Sequence, residues 1–120
     1  MNQPAQMTDN LELNIGQLYD IKGEYTKKAT RIYSLMICKR RVKAIGYTWD
    51  DVLDKQRHRH LVDLRKVVCK YLYDKKWTYM SIGRLLKLNH ATIIHHKNQF
   101  ENLLGHDDEL QNLWVKFKNS

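Results

Sequence analysis

Residues 78–100 read TYMSIGRLLKLNHATIIHHKNQF. Ile82, Leu85 and Leu86 recur at the spacing of a short helix, with Thr78 placed to cap its start. The connection Lys87-Leu88-Asn89 is brief, and Asn89 can cap a second helix running from His90 to about Leu104. A helix turns about 100° per residue, so Ile93, Phe100 and Leu104 fall in one narrow arc and must face a core. Ala91, Thr92, His95, Asn98 and Gln99 lie opposite. His90 stands at the first position, where its side chain can project past the helix end.

The three histidines at 90, 95 and 96 invite three readings. Two helical histidines share a metal when they stand at i and i+4. His90 is five residues from His95 and six from His96, so neither pair shares a face, and no metal is expected. A catalytic pair needs a nucleophile beside its base. Between residues 87 and 99 there is neither cysteine nor serine, while Cys38 and Cys69 sit in helical segments and read as buried thiols. The expectation is a binding protein with no cofactor, not an enzyme, with His96 packed toward the buried side. The third reading fits the outward face, which is short, polar and flanked by Lys87 and Lys97. Such a face can lie in a major groove about 12 Å wide and touch base edges. Two helices joined by a tight turn make a helix-turn-helix, a geometry that ordinary helical bundles also contain.

The rest of the chain reads as helix too. One proline in 120 residues and five scattered glycines favour long helices, and no strand alternation occurs. Residues 1–15 lack periodicity and read as a flexible tail. From Gln17 to about Lys43, the positions Leu18, Ile21, Tyr25, Ala29, Ile32 and Met36 form an amphipathic stripe. Gly46 closes this segment. The run Lys39, Arg40, Arg41, Lys43 before it is either a phosphate patch or a helix terminus with cations at its negative end. Thr48, Asp50 and Asp51 start a short helix through Asp54. A basic stretch, KQRHRH, follows, and Leu61, Leu64, Val68, Tyr71 and Leu72 then restart a stripe to about Lys76. Gly105 is expected to close the helix begun at His90. A last helix spans Asp107 to about Phe117, with acids at its start and lysines at its end. Trp49, Trp77 and Trp114 stand at element ends as core or inter-helix anchors.

Charge is uneven along the chain. The net formal charge is +8. Eleven of the cations lie between Lys55 and Lys97 against two acids, Asp63 and Asp74. A local basic block suits a polyanion, nucleic acid first, although it also describes a solvated surface. The polar start MNQPAQMTDN is no signal peptide, and no run approaches the ~20 apolar residues of a membrane span. Unpaired cysteines suit a reducing compartment, so a cytoplasmic, nucleoid-associated protein is expected.

Three blocks together resemble a known family. KQRHRH leading into LVDLRKVVCKYL, then SIGRLL, then NHATIIHH are similar to the C-terminal DNA-binding domain of the DnaA-type bacterial replication initiators. That domain is a Trp-repressor-like helix-turn-helix, and the likeness covers about half the chain. The resemblance implies that Arg57 enters the minor groove, with Lys55 and Arg59 on phosphates beside it. It implies that Arg65 supports DNA contact, that His90 reads a base, and that Thr92 meets a phosphate or sugar. His95 stands at a position often histidine in the family. The chain departs from the pattern in three ways. Asn89 replaces an aspartate but can still cap. Ala91 replaces a threonine, though its methyl can still touch a thymine methyl. The glycine-rich turn is replaced by the shorter Lys87-Leu88-Asn89.

No G-x-x-x-x-G-K-[ST] phosphate loop is present, so no nucleotide is expected and the chain reads as a stand-alone relative without an ATPase module. The expected fold is all-α: an N-terminal helical extension over residues 16–54 and a helix-turn-helix domain over residues 55–120. The expected function is sequence-specific binding of double-stranded DNA, in replication initiation or its regulation, or else in transcription, with a phage or mobile element as one setting. A helical adaptor with a basic face is the rival. The candidate DNA-binding residues are Lys55, Arg57, Arg59, Arg65, Lys66, Thr78, Lys87, Asn89, His90, Ala91, Thr92, His95 and Lys97. Residues 17–54 are left to add core, form a homodimer or recruit a replication partner.

Overall fold

A computed structural model of the chain describes residues 23–120, with side chains from Lys28 onward. The expected tail over residues 1–15, and Leu18 and Ile21 of the expected stripe, lie outside the described residues; so does the side chain of Tyr25. Six α-helices and no strand are present among the described residues: α1 (Gly23–Ala44), α2 (Trp49–Leu53), α3 (Arg59–Asp74), α4 (Tyr79–Leu86), α5 (His90–Leu103) and α6 (Asp108–Lys118). The chain divides into two compact units, residues 1–36 and residues 37–120.

In the first unit, the α1 stripe is not the expected one. Ile32 and Met36 are 53% and 57% exposed, while Ser34 is buried and its hydroxyl donates to the Arg31 carbonyl at 2.9 Å. The three-and-four spacing identified a helix but chose the wrong face, because periodicity alone carries no information about which face finds a partner.

In the second unit, α3 is the helix on which the others pack. Helices α2, α4, α5 and α6 all touch it, and α4 also packs on α5. The core unites Leu64, Val67, Val68 and Leu72 of α3 with Ile82 and Leu86 of α4, Ile93 and Phe100 of α5, and Leu110 and Phe117 of α6. Cys38, Val42 and Val52 belong to the same core. Each side chain of this size, fully removed from water, contributes roughly 1.5–3 kcal/mol. Trp49, Trp77 and Trp114 are half-buried against it, and the Trp114 ring meets Phe100 edge-on at 4.9 Å. Burial pushes both the Cys38 and Cys69 thiols up to about 12, which keeps them protonated at ordinary pH.

Caps set the helix starts. Thr48 and Asp51, and likewise Thr78 and Ser81, exchange reciprocal hydrogen bonds at the N-termini of α2 and α4. Asp107 accepts from the Leu110 amide to start α6, whose first turn carries Asp108 and Glu109 and whose last turn carries Lys116 and Lys118. Helices α1, α3 and α4 end in the same way, with a left-handed residue at Gly46 (φ 96°), Lys76 (φ 72°) and Lys87 (φ 58°). In each case the next amide reaches back to a carbonyl inside the helix: Tyr47 to Val42, Trp77 to Leu72, Leu88 to Gly83. Gly105, expected to close α5, is not left-handed, and nothing lies within 4 Å of where its side chain would be. The end of α5 does not depend on it.

Gly83 is indispensable for another reason. A Cβ there would stand 2.6 Å from the Leu88 carbonyl oxygen and 3.5 Å from the His90 amide nitrogen. Its bare Cα is what lets α4 approach the turn closely enough for α5 to follow three residues after α4 ends.

Candidate functional site

Two segments of the second unit gather the residues singled out in the sequence. The first is the connection from Asp54 to His58, between α2 and α3. The second is the turn Lys87–Asn89 with the first turns of α5.

In the connection, Lys55, Gln56, Arg57 and His58 are exposed, and no carboxylate pairs with Lys55 or Arg57 among the described residues. The backbone is nevertheless held. The Gln56 amide donates to the Asp54 carboxylate at 2.9 Å. From α3, the guanidinium of Arg65 donates to the carbonyls of Asp54 and Gln56, the latter at 2.9 Å. Arg65 is only 6% exposed, and burial draws its pKa below the ordinary arginine value. On the other side of Arg57, the His58 carbonyl accepts from Leu61 and Val62 and opens α3. The His60 ring lies between Tyr47 and His58, stacked at centroid distances of 6.2 and 5.8 Å. This aromatic column escaped the sequence reading, because Tyr47 is thirteen residues away from His60.

At the start of α5, the Asn89 side chain accepts from the Ala91 amide at 2.8 Å, as a cap should. His90, Ala91 and His95 are exposed and Thr92 is half-buried, while Ile93 and Phe100 are sealed in the core. Lys87 is exposed on its left-handed backbone. Thr78 caps α4, and its hydroxyl is engaged with the Ser81 amide and hydroxyl. His96 is 9% exposed, and its Nδ1 has no hydrogen-bond partner. Burial first, and then the charges of Arg65, Lys66 and His95, pull its pKa down to about 4. His96 is therefore neutral at ordinary pH, held so by burial first and by the positive charges around it second. Lys66 is itself largely covered, with Asp63 as a distant partner at 3.9 Å.

Two candidates stand apart from this group. Arg59 donates through Nη2 to both Asp107 oxygens at 2.6 Å, and its Nε lies 3.3 Å from Glu109 and 3.4 Å from Asp63. Asp107 and Glu109 raise its pKa. Asp63 is buried enough that its own carboxyl is held above the usual range despite Lys66 and Arg59. Lys97 is bound to Glu101 at 3.0 Å and lies over the Tyr73 ring at 4.9 Å. Lys70 meets the same Glu101 at 3.0 Å. The second basic run divides in two: Arg41 lies over the Tyr71 and Phe117 rings and Lys39 over Trp49, whereas Arg40 and Lys43 are exposed. Among the described residues, no group of three or more His, Cys, Asp or Glu is arranged to hold a metal ion, and no helix is long and apolar enough to cross a membrane.

No family model matches the chain, and no solved structure matches it. Among curated proteins, it is similar to the chromosomal replication initiator protein DnaA of Mycoplasma pneumoniae. The two are 28% identical over 100 residues, which is 80% of this chain and 22% of that protein. The chain thus spans 22% of the length of the curated relative it matches.

Proposed function

We propose that this protein binds double-stranded DNA in a sequence-specific way and serves replication initiation or its control. One observation carries the reading. An exposed, hydrogen-bonding face at the start of α5, which packs on α3, lies in the same unit as the connection leading into α3, whose Lys55 and Arg57 have no carboxylate partners among the described residues. Similarity to a protein named as a chromosomal replication initiator supports the replication setting over a purely transcriptional one.

In this reading α4, the turn and α5 act as a helix-turn-helix. His90, Ala91 and His95 meet base edges in the major groove, with Thr92 beside them on phosphate or sugar. Arg57 enters the adjacent minor groove, where A·T-rich sequence narrows the groove and concentrates negative potential. Lys55 and Lys87 meet phosphates, the largely covered Lys66 adds less, and the helix starts at Thr78 and Asn89 sit against the backbone. Arg59 and Lys97 bring less than their charge suggests, since carboxylates already hold them. The protein contributes recognition and no chemistry of its own, and a cytoplasmic location follows from the partner.

Selection from random-sequence duplexes tests this directly. The expected result is an enriched motif bound at least a hundredfold more tightly than scrambled DNA, with affinity falling steeply as salt rises. Equal affinity for selected and scrambled duplexes would defeat the specificity claim. No DNA binding at moderate salt would instead favour an adaptor for an acidic protein.

A further inference from the structure

We infer that Arg65 is a positioning residue for Arg57: its buried guanidinium grips the connection backbone and sets the direction in which the Arg57 side chain leaves it. The effect on recognition rests on the DNA-binding reading; the grip itself does not.

The Gln56 carbonyl that Arg65 holds belongs to the peptide plane from which Arg57 begins. The Asp54 carbonyl, held by the other terminal nitrogen, fixes the chain two residues earlier. The Asp54 carboxylate closes a tight turn onto the Gln56 amide, and the His58 carbonyl is locked into the first turn of α3. Arg57 and His58 therefore span two anchored peptide groups, the one just before Arg57 and the one just after His58. A planar fork with donors fixed on two terminal nitrogens suits two carbonyls held at set positions better than a single rotatable ammonium does.

Two features separate this role from its alternatives. At 6% exposure, with both terminal nitrogens already donating, Arg65 cannot reach a phosphate without releasing the connection. Nor is it a simple core residue. Its hydrogen bonds go to loop carbonyls and to no carboxylate, and a buried charge of that kind is a poor stabiliser compared with an apolar side chain of similar volume. What the charge provides is a fixed path for residues 54–57, which are tied to α2 only through the Asp54 amide and to one another through the Asp54 carboxylate.

The test has two arms on the full chain. In the absence of DNA, ¹⁵N relaxation compares wild type with Arg65→Met and Arg65→Lys. In wild type, the Gln56 and Arg57 amides should show order parameters near the rigid value of about 0.85; in Arg65→Met they should fall below about 0.6 with the helix resonances in place. Arg65→Lys should fall between, since one ammonium can keep one carbonyl. Unchanged order in Arg65→Met overturns the proposal. On DNA, the selected duplex is titrated with Arg57→Ala, Arg65→Met and the double variant. If Arg65 acts through Arg57, the double variant binds within twofold of Arg57→Ala alone. Losses that multiply would mean that Arg65 meets DNA itself, which also overturns the proposal. Should wild type select no sequence, the DNA-binding reading falls and the relaxation arm still decides the grip.

Discussion

Arg57 and Arg59 stand two residues apart in the run KQRHRH and end in opposite surroundings. Arg57 lies on a connection gripped by a buried arginine, with no carboxylate paired to it among the described residues. Arg59, at the first position of α3, is clasped by Asp107 and Glu109 from the start of α6 and by Asp63 one turn along its own helix. A count of cations treats the two alike. Their availability differs because a carboxylate 48 residues away in sequence folds back onto one of them and not onto the other. Formal charge is a property of composition, whereas charge available to a partner is a property of the neighbours.

The comparison can be broken or sharpened by measurement, from the strongest expected effect to the weakest. His96 has a folded pKa of about 4 against an ordinary 6.5, so the unfolded chain takes up its proton more readily between these values. Its contribution is intact above pH 6.5 and declines as pH falls toward 4, by about 3 kcal/mol in all. Denaturant unfolding of wild type and His96→Leu across that window should show the wild type losing this much more; parallel curves would mean that Arg65 and Lys66 do not face a neutral imidazole.

Gly83→Ala comes next. It drives a Cβ into the Leu88 carbonyl and separates α4 from the turn, at about 2–3 kcal/mol of unfolding free energy. An alanine variant as stable as wild type would show that the turn has slack. Third, Arg57→Ala should lose about 1–3 kcal/mol of binding to a selected duplex and relax its sequence preference. The matching Arg59→Ala should change affinity less than threefold and appear instead as a lower melting temperature. Equal losses in binding would erase the distinction between the two arginines. The smallest effect is at the turn. Lys87→Gly relieves a left-handed backbone and should raise stability by about 1 kcal/mol, while weakening binding to all duplexes alike.

Much of this arrangement was legible in the residues. Thr48, Thr78 and Asn89 cap the helices assigned to them because capping is local, involving one side chain and an amide two or three residues on; Asp107, read as the first residue of its helix, proves to be its cap. The division of α5 into a buried Ile93–Phe100 side and an exposed His90–His95 side follows from helical arithmetic for the same reason. The misreadings were of a different kind. Ile32 and Met36 form a correct helical stripe that is exposed, and Gly105 looked like a terminator without acting as one. The left-handed positions at Lys76 and Lys87 carried no glycine to announce them.

The order of helices, their caps and the outward face of α5 are written in spacings of four residues or fewer, so the sequence determines them unaided. Which cations stay free, which face of α1 is buried, and the grip of Arg65 on the connection before Arg57 depend on contacts between segments far apart in the chain. Such contacts exist only once the core has closed. Tertiary structure alone decides them, because burial and ion pairing act through distance in space, and residue spacing records distance along the chain.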